Sequence, residues 1–316
     1  MDDLSRGCEI ILKQCMGTKP GERVLILTDD NKFKIGRALY QEAKREGADA
    51  VLMVMPVMQI SGQEPPPAVA AAMLAADVII CPTEESITHT NARIAAVKNG
   101  ARVATMPGIT EEMFSKGPIQ ADYEQVERLT EHYVSMLSEA KTCRIVTCGH
   151  ELVLDLKGRN GIPSTGVYRQ GGQSGNLPSG EAYIAPVEDG ANGEILIDGS
   201  IVGVGRLKSP VILTIQNGKL TQISGPQAAA VERAIPNNTL SRTIGELGIG
   251  TNPMAAITGV ILEDEKIFGS VHIAFGTNVS FGGTVKAESH IDCVTLKPSV
   301  YLDDVLVAQN GKLLFE

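Results

Sequence analysis

Apolar runs in the first third of this 316-residue chain switch repeatedly between strand and helix spacing, and that alternation limits the fold more than any other feature. Residues 3–16 carry Leu4, Cys8, Ile11, Leu12 and Cys15 at helical spacing. Gly17 and the Lys19-Pro20-Gly21 turn stop that helix. Residues 23–28, Arg-Val-Leu-Ile-Leu-Thr, then form a continuous apolar run of strand length. A helix over 32–46, a strand over 50–55, a short Ala-rich helix over 66–75 and a strand over 77–81 follow. A helix over 90–98 and a strand over 101–106 complete the series. Strands alternating with helices in this way predict a parallel, doubly wound sheet.

The pattern changes after a long helix expected over 120–140, with Tyr123, Val126, Leu129, Tyr133 and Leu137 as its apolar stripe. From Cys143 onward, short apolar runs alternate with Gly-containing turns. Asp189-Gly190, Asn192-Gly193, Asp198-Gly199, Asn217-Gly218 and Asn310-Gly311 all read as hairpin signals. The second half is therefore expected to be mainly antiparallel β, with one helix around 226–234. The chain is long enough for two cores. The expected organisation is an α/β domain over 1–141, including the long helix as a bridge, and a β-rich (α+β) metal-binding domain over 142–316.

Composition excludes several functions. The formal charge is −9 and no basic stripe occurs, which argues against nucleic acid as a partner. No apolar run approaches the roughly 18 residues of a membrane span. Met1-Asp2-Asp3-Leu4 is acidic and lacks the apolar core of a signal peptide. The six cysteines are scattered without a Cys-x-x-Cys pair, so reduced thiols in a cytoplasmic protein are expected. The first strand runs into Asp29-Asp30, not into a Gly-rich turn, and two carboxylates there would repel a pyrophosphate. Neither Gly-x-Ser-x-Gly nor His-Glu-x-x-His occurs, which argues against a serine hydrolase and a helix-borne zinc protease.

Chemistry concentrates near the end of the chain. His290 and Asp292 stand as His-Ile-Asp, and His272 lies in the apolar run Ser-Val-His-Ile-Ala-Phe. Residues i and i+2 of a strand share a face about 7 Å apart, so both side chains can reach one metal ion. Two imidazoles and a carboxylate make a chemically sensible ligand set. Glu181 and Glu246 are single acids beside glycines at loop–strand junctions with apolar residues following, an unusual setting for an unpaired acid. The bland readings stay open. A histidine in an apolar strand is more often a core residue, and a glutamate at a strand edge is more often solvated. His150 after Cys148-Gly149 reads as a strand-end residue, and Glu263-Asp264-Glu265 reads as an acidic hairpin tip from which Glu263 or Glu265 could approach the site as an outer-shell base.

Four segments, in this order, resemble the thermophilic aminopeptidase family, that of aminopeptidase T and its staphylococcal relatives. Asn176-Leu177-Pro178-Ser179-Gly180-Glu181 is similar to the family's segment bearing the first metal-binding glutamate, and Gly245-Glu246 to its second. Val271-His272-Ile273-Ala274-Phe275-Gly276 resembles its His-Ile/Leu-Ala-Leu/Phe-Gly segment, and Ser289-His290-Ile291-Asp292 its closing His-x-Asp. Gly21-Glu22-Arg23-Val24-Leu25-Ile26 fits the family's α/β first domain. The resemblance implies that Glu181, Glu246, His272, His290 and Asp292 ligate metal, with Glu181 and Glu246 also catalytic. Three carboxylates are balanced by two dications and a bridging hydroxide, which favours two ions (Zn, Co or Mn) if all five residues ligate. The implied activity is removal of N-terminal residues from short peptides by a metal-activated water, in a homodimer. One departure stands out: Thr277-Asn278-Val279-Ser280-Phe281-Gly282-Gly283 lacks the tyrosine that the peptidases carry there. A second branch, the 2,5-dihydroxypyridine 5,6-dioxygenases, is also similar, and implies one Fe(II) on His272, His290 and Asp292 with a small-molecule substrate. A binding protein derived from the same fold is the third alternative. Asn278 is a candidate substrate contact.

Overall fold

The structure is a computed structural model that describes residues 3–314. The chain forms two compact units. The first comprises residues up to Glu127 together with Gly166–Ser179; the second comprises Arg128–Thr165 and the residues from Gly180 on. The division falls inside the long helix, Tyr123–Glu139.

The first unit holds a parallel five-stranded sheet. Its order is Asp49–Met55, Arg23–Asp29, Val78–Thr83, Arg102–Pro107 and Ser174–Asn176. Val24 through Leu27 and Val78 through Cys81 are buried throughout, as expected where both faces of a parallel sheet are covered. Leu25, Leu27, Ile79, Cys81 and Val103 pack against Val69 and Met73 of helix Pro67–Leu74 and Ala92 and Ala96 of helix Asn91–Lys98. The N-terminal helix runs Asp3–Ile10 and widens into a π-turn at Ile11–Cys15. Strand order reverses beside Arg23–Asp29, where open α/β sheets usually take ligands. Here the Asp29 carboxylate itself fills the end of the strand. It accepts from the backbone N–H groups of Asn31 (3.1 Å), Lys32 (3.1 Å) and Glu84 (2.5 Å).

The second unit contains an eight-stranded and a seven-stranded sheet. Every pairing within them is antiparallel. Their inner faces share one core, which includes Ile145, Leu152, Leu213, Leu247, Ile273 and Val300, with Leu129, Tyr133 and Leu137 of the long helix. Helix Ala228–Ala234 is the one expected near 226–234.

Turn chemistry is only partly as expected. Asn217-Gly218 and Asn310-Gly311 close hairpins with both residues at positive φ (48° and 71°; 50° and 75°), the geometry of a type I′ turn. Asn192-Gly193 instead lies inside strand Ala191–Ile197. A Cβ on Gly193 would sit 2.1 Å from the Glu151 carbonyl oxygen, so this glycine permits close strand approach and makes no turn. Asp198-Gly199 carries the chain from one sheet to the other, with Asp198 accepting from the Leu296 N–H at 2.9 Å. Among the described residues, no helix is long and apolar enough to cross a membrane.

Candidate metal centre

Four adjacent strands of the seven-stranded sheet build the site: Glu181–Ile184, Ile244–Gly250, Val271–Gly276 and His290–Thr295. Alternation sends Ala182, Ile184, Leu247, Ile249, Ile273, Phe275, Ile291 and Cys293 into the core. The opposite face then carries Glu181, Glu246, His272, His290 and Asp292. Glu246 reaches it through a register shift between Ile244 and Glu246, so Ile244 can bury in the core while Glu246 faces away from it.

Each of these side chains stands across from a small residue. Glu181 pairs with Gly250, His272 with Gly248, Glu246 and Asp292 with Ala274, and His290 with Gly276. A Cβ on Gly248 would lie 2.1 Å from the His272 ring. Gly248 is thus the space that the His272 ring occupies, while Gly245 and Gly250 let the strand pass close to the Gly276 and Ile267 backbone.

The five expected residues converge. His272 Nε2 lies 3.2 Å from Glu246 Oε1 and 3.5 Å from Glu181 Oε2. His290 Nε2 lies 3.3 Å from both Glu246 Oε2 and Asp292 Oδ1. Among the described residues, Glu246, His272 and Asp292 form one group with donor atoms all within 4.8 Å, and Glu181, Glu265 and His272 form another. The His290 ring is oriented by Nδ1, which lies 2.9 Å from the Thr277 carbonyl oxygen. Glu181, Glu246, His272 and Asp292 are buried. Two of their atoms, Glu181 Oε2 and His272 Nδ1, are buried without a hydrogen-bond partner. Buried carboxylates and imidazoles facing one another, with one carboxylate oxygen unsatisfied, fit a divalent cation.

Electrostatics follow from this crowding. Burial works against the charged form of His272, but Glu246 and Glu181 outweigh it and raise the imidazole to about 9. His290 is likewise raised despite burial, by Asp292 and Glu246. Burial favours protonation of Glu246, yet its hydrogen bonds to His272 and His290 hold it down at about 2. The metal-free site therefore binds protons where a metal would bind.

Lys266 is the residue that sequence reading missed. Its side chain is 1% exposed, and its ammonium lies 2.7 Å from Glu181 Oε1 and also pairs with Glu265. Burial opposes its charge, and the two carboxylates raise it above the usual lysine value. Burial, reinforced by Glu181 and Asp292 against the pull of Lys266, pushes Glu265 up to about 7. The acidic segment before Lys266 is not a solvated tip. Glu263 accepts from the Ala256 N–H at 3.0 Å, and Asp264 from the Thr258 and Gly259 N–H groups at 2.7 and 2.9 Å.

Two other candidates fall outside the centre. Asn278 is fully buried and spends its amide on the chain, donating to the Gly245 carbonyl (3.3 Å) and accepting from the Val285 N–H (2.8 Å). His150 lies at a strand end with Nδ1 2.9 Å from Glu194 Oε2.

Comparison with known proteins bears on the fold and the family. The chain is similar in structure to 2,5-dihydroxypyridine dioxygenase from Pseudomonas putida KT2440, with a TM-score of 0.82 at 19% identity over 100% of this chain and 99% of the other. It is also similar to AmpT from Thermus thermophilus, with a TM-score of 0.73 at 15% identity over 99% of each chain. At these identities the likeness concerns the fold. No curated protein sequence matches. The family model for 2,5-dihydroxypyridine 5,6-dioxygenase (NicX) matches residues 3–315, and the chain belongs to that family.

Proposed function

We propose that the second unit is a one-metal, ring-cleaving dioxygenase centre acting on a dihydroxylated heteroaromatic ring of the 2,5-dihydroxypyridine kind. The observation that carries this reading is the Lys266 ammonium on Glu181. Two ions were expected because three carboxylates, Glu181, Glu246 and Asp292, had no other counter-charge. Lys266 supplies one positive charge from the chain itself, and a single dication then balances the remainder while Glu265, which also pairs with Lys266, is protonated. Glu265, poised at about 7, can take up or release the residual charge.

His272, His290 and Asp292 are the residues that would hold the ion, with Glu246 hydrogen-bonded to both imidazoles beside them. Held there, Fe(II) supplies the one-electron chemistry that lets dioxygen react with an electron-rich ring. The chain's own groups prepare that reaction. Lys266 fixes Glu181 through its 2.7 Å contact with Oε1. Glu246 orients both imidazoles. Glu265 is the carboxyl best matched to exchanging a proton with a ring hydroxyl near neutral pH. Its pairing with Lys266 restrains it at the edge of the site.

A second reading, the two-metal aminopeptidase, has one observation in its favour: all five expected ligands share one sheet face, in a fold similar to that of AmpT. In that case Glu181 would serve the second ion through Oε2, which has no hydrogen-bond partner, while Oε1 stays on Lys266. The test is oxygen consumption by Fe(II)-loaded protein given 2,5-dihydroxypyridine, run beside release of N-terminal residues from short peptides by Zn-, Co- or Mn-loaded protein. The proposal expects oxygen uptake and loss of the ring's ultraviolet absorbance. Peptide cleavage without oxygen uptake would replace it with the second reading.

A further inference from the structure

The chain is poor in aromatic residues, at 4%, and contains no tryptophan. Two of its few rings nevertheless meet at the metal centre. Phe281 makes an edge contact with the His290 imidazole, with centroids 6.0 Å apart and planes at 85°. It makes a second with Tyr183, at 5.5 Å and 75°. Tyr183 lies two residues after Glu181 on the same strand, hence on the same sheet face. Neither ring is fully buried.

Phe281 is fixed in place by a densely bonded loop. It ends a short 3-10 turn, Val279–Phe281, closed by its own N–H to the Asn278 carbonyl at 3.2 Å. The next residue, Gly282, sits at a φ of 95°, and its carbonyl accepts from Arg159 at 2.5 Å. Arg159 in turn pairs with Glu188 at 2.5 Å, and Glu188 accepts the Thr284 N–H at 2.6 Å. A Cβ on Gly283 would lie 2.0 Å from the Asn278 side chain, so the chain can pass there only as glycine. This bonding sets the position of a half-buried phenylalanine in edge contact with His290. Packing alone does not require so many bonds on an exposed loop.

We infer that Phe281, backed by Tyr183, is the wall against which a planar aromatic substrate lies while its hydroxyls face the carboxylates and imidazoles. The inference rests on the dioxygenase reading and adds the determinant of substrate shape. A flat ring with polar edges matches both surfaces: ring face to Phe281, polar edge to the charged cluster. A saturated ring carrying the same hydroxyls has no π-face to offer. Phe281 is a specificity residue in this account, and the proton and electron chemistry does not depend on it.

The test is anaerobic calorimetry of Fe(II)-loaded protein with 2,5-dihydroxypyridine, with trans-1,4-cyclohexanediol as the saturated control. Iron content is measured on every variant. Removing an aromatic stacking partner typically weakens binding by about tenfold or more. Phe281→Ala should therefore raise Kd for the aromatic ring about tenfold with iron content unchanged. Phe281→Tyr should bind like the parent, and Phe281→Leu should fall between. Binding of the diol should be weak and indifferent to all three substitutions. Equal affinity of Phe281→Ala and the parent for the aromatic ring overturns the inference, as does a parent protein that binds no ring. Oxygen uptake is measured in parallel. Tight, Phe281-dependent ring binding without oxygen uptake supports the wall and defeats the dioxygenase reading. Oxygen uptake with Phe281-independent binding does the reverse.

Discussion

Buried Asp29 and the buried acids of the seven-stranded sheet are satisfied in opposite ways. At the end of strand Arg23–Asp29, the Asp29 carboxylate accepts three backbone N–H groups from Asn31, Lys32 and Glu84. Those donors are fixed by the main chain and cannot give up a proton. On the seven-stranded sheet, Glu181, Glu246 and Asp292 face His272, His290 and Lys266, which are themselves ionisable. The first carboxylate finishes a strand. The second set stores charge that can be exchanged for a cation. A place in the fold that commonly binds ligands is closed by structure here, and the chemistry sits where acids are left facing each other.

The largest effect that can test this contrast is at the metal. Replacing His272 or Asp292 by alanine should lower retained metal by at least about a hundredfold, beyond the loss typical of outer partners. Asp29→Ala should leave metal content unchanged, as metal analysis after gel filtration would reveal. If Asp29→Ala also empties the site, Asp29 and the metal centre are not independent.

Lys266→Met should come next. It strips a buried carboxylate of its partner, a loss of about 3–5 kcal/mol in chelated protein. Excess divalent metal should restore much of that, because a second cation can then serve Glu181. Denaturant melts with and without metal measure both. No metal dependence of the loss would mean that Lys266 supports packing and does not substitute for an ion. Asp29→Ala should cost less, about 1–3 kcal/mol from orphaned N–H groups, in equal measure with and without metal.

The pH dependence is diagnostic through its direction. His272 is raised from 6.5 to about 9 in the metal-free protein. Its pairing therefore stabilises fully below about 6.5 and is lost as pH rises through 9. Glu246 is lowered from 4.5 to about 2, so its contribution is present above about 4.5 and lost as pH falls through 2. Chelated protein should melt at lower temperature as pH rises from 6.5 to 9, while metal affinity climbs over the same interval as the imidazoles become free to ligate. Parallel pH profiles of chelated and loaded protein would contradict the charge-exchange picture.

Much of this architecture was legible in the sequence because local pattern and tertiary demand agree. Continuous apolar runs such as Val-Leu-Ile-Leu follow from burial on both faces of a parallel sheet, and His-x-Asp from strand alternation. Other parts were not legible, because distant residues decide them. Asn192-Gly193 and Asn217-Gly218 share a dipeptide, yet the Glu151 backbone makes one a strand and leaves the other a turn. Lys266 reads as part of an acidic surface segment because its partner, Glu181, is 85 residues away. The shift that turns Glu246 outward depends on Gly245 passing 2.8 Å from the Gly276 carbonyl oxygen, counted from the Cβ it lacks. Three-dimensional proximity, and no local signal, converted a two-ion expectation into a one-ion proposal.

The most direct test of that proposal is the number of metal ions bound per chain at saturation, measured by anaerobic titration with Fe(II) and separately with Zn(II). With Lys266 present, about one tightly held ion per chain is predicted for either metal, and Lys266→Met should admit a second. Two tightly held ions in the unaltered protein would contradict the account.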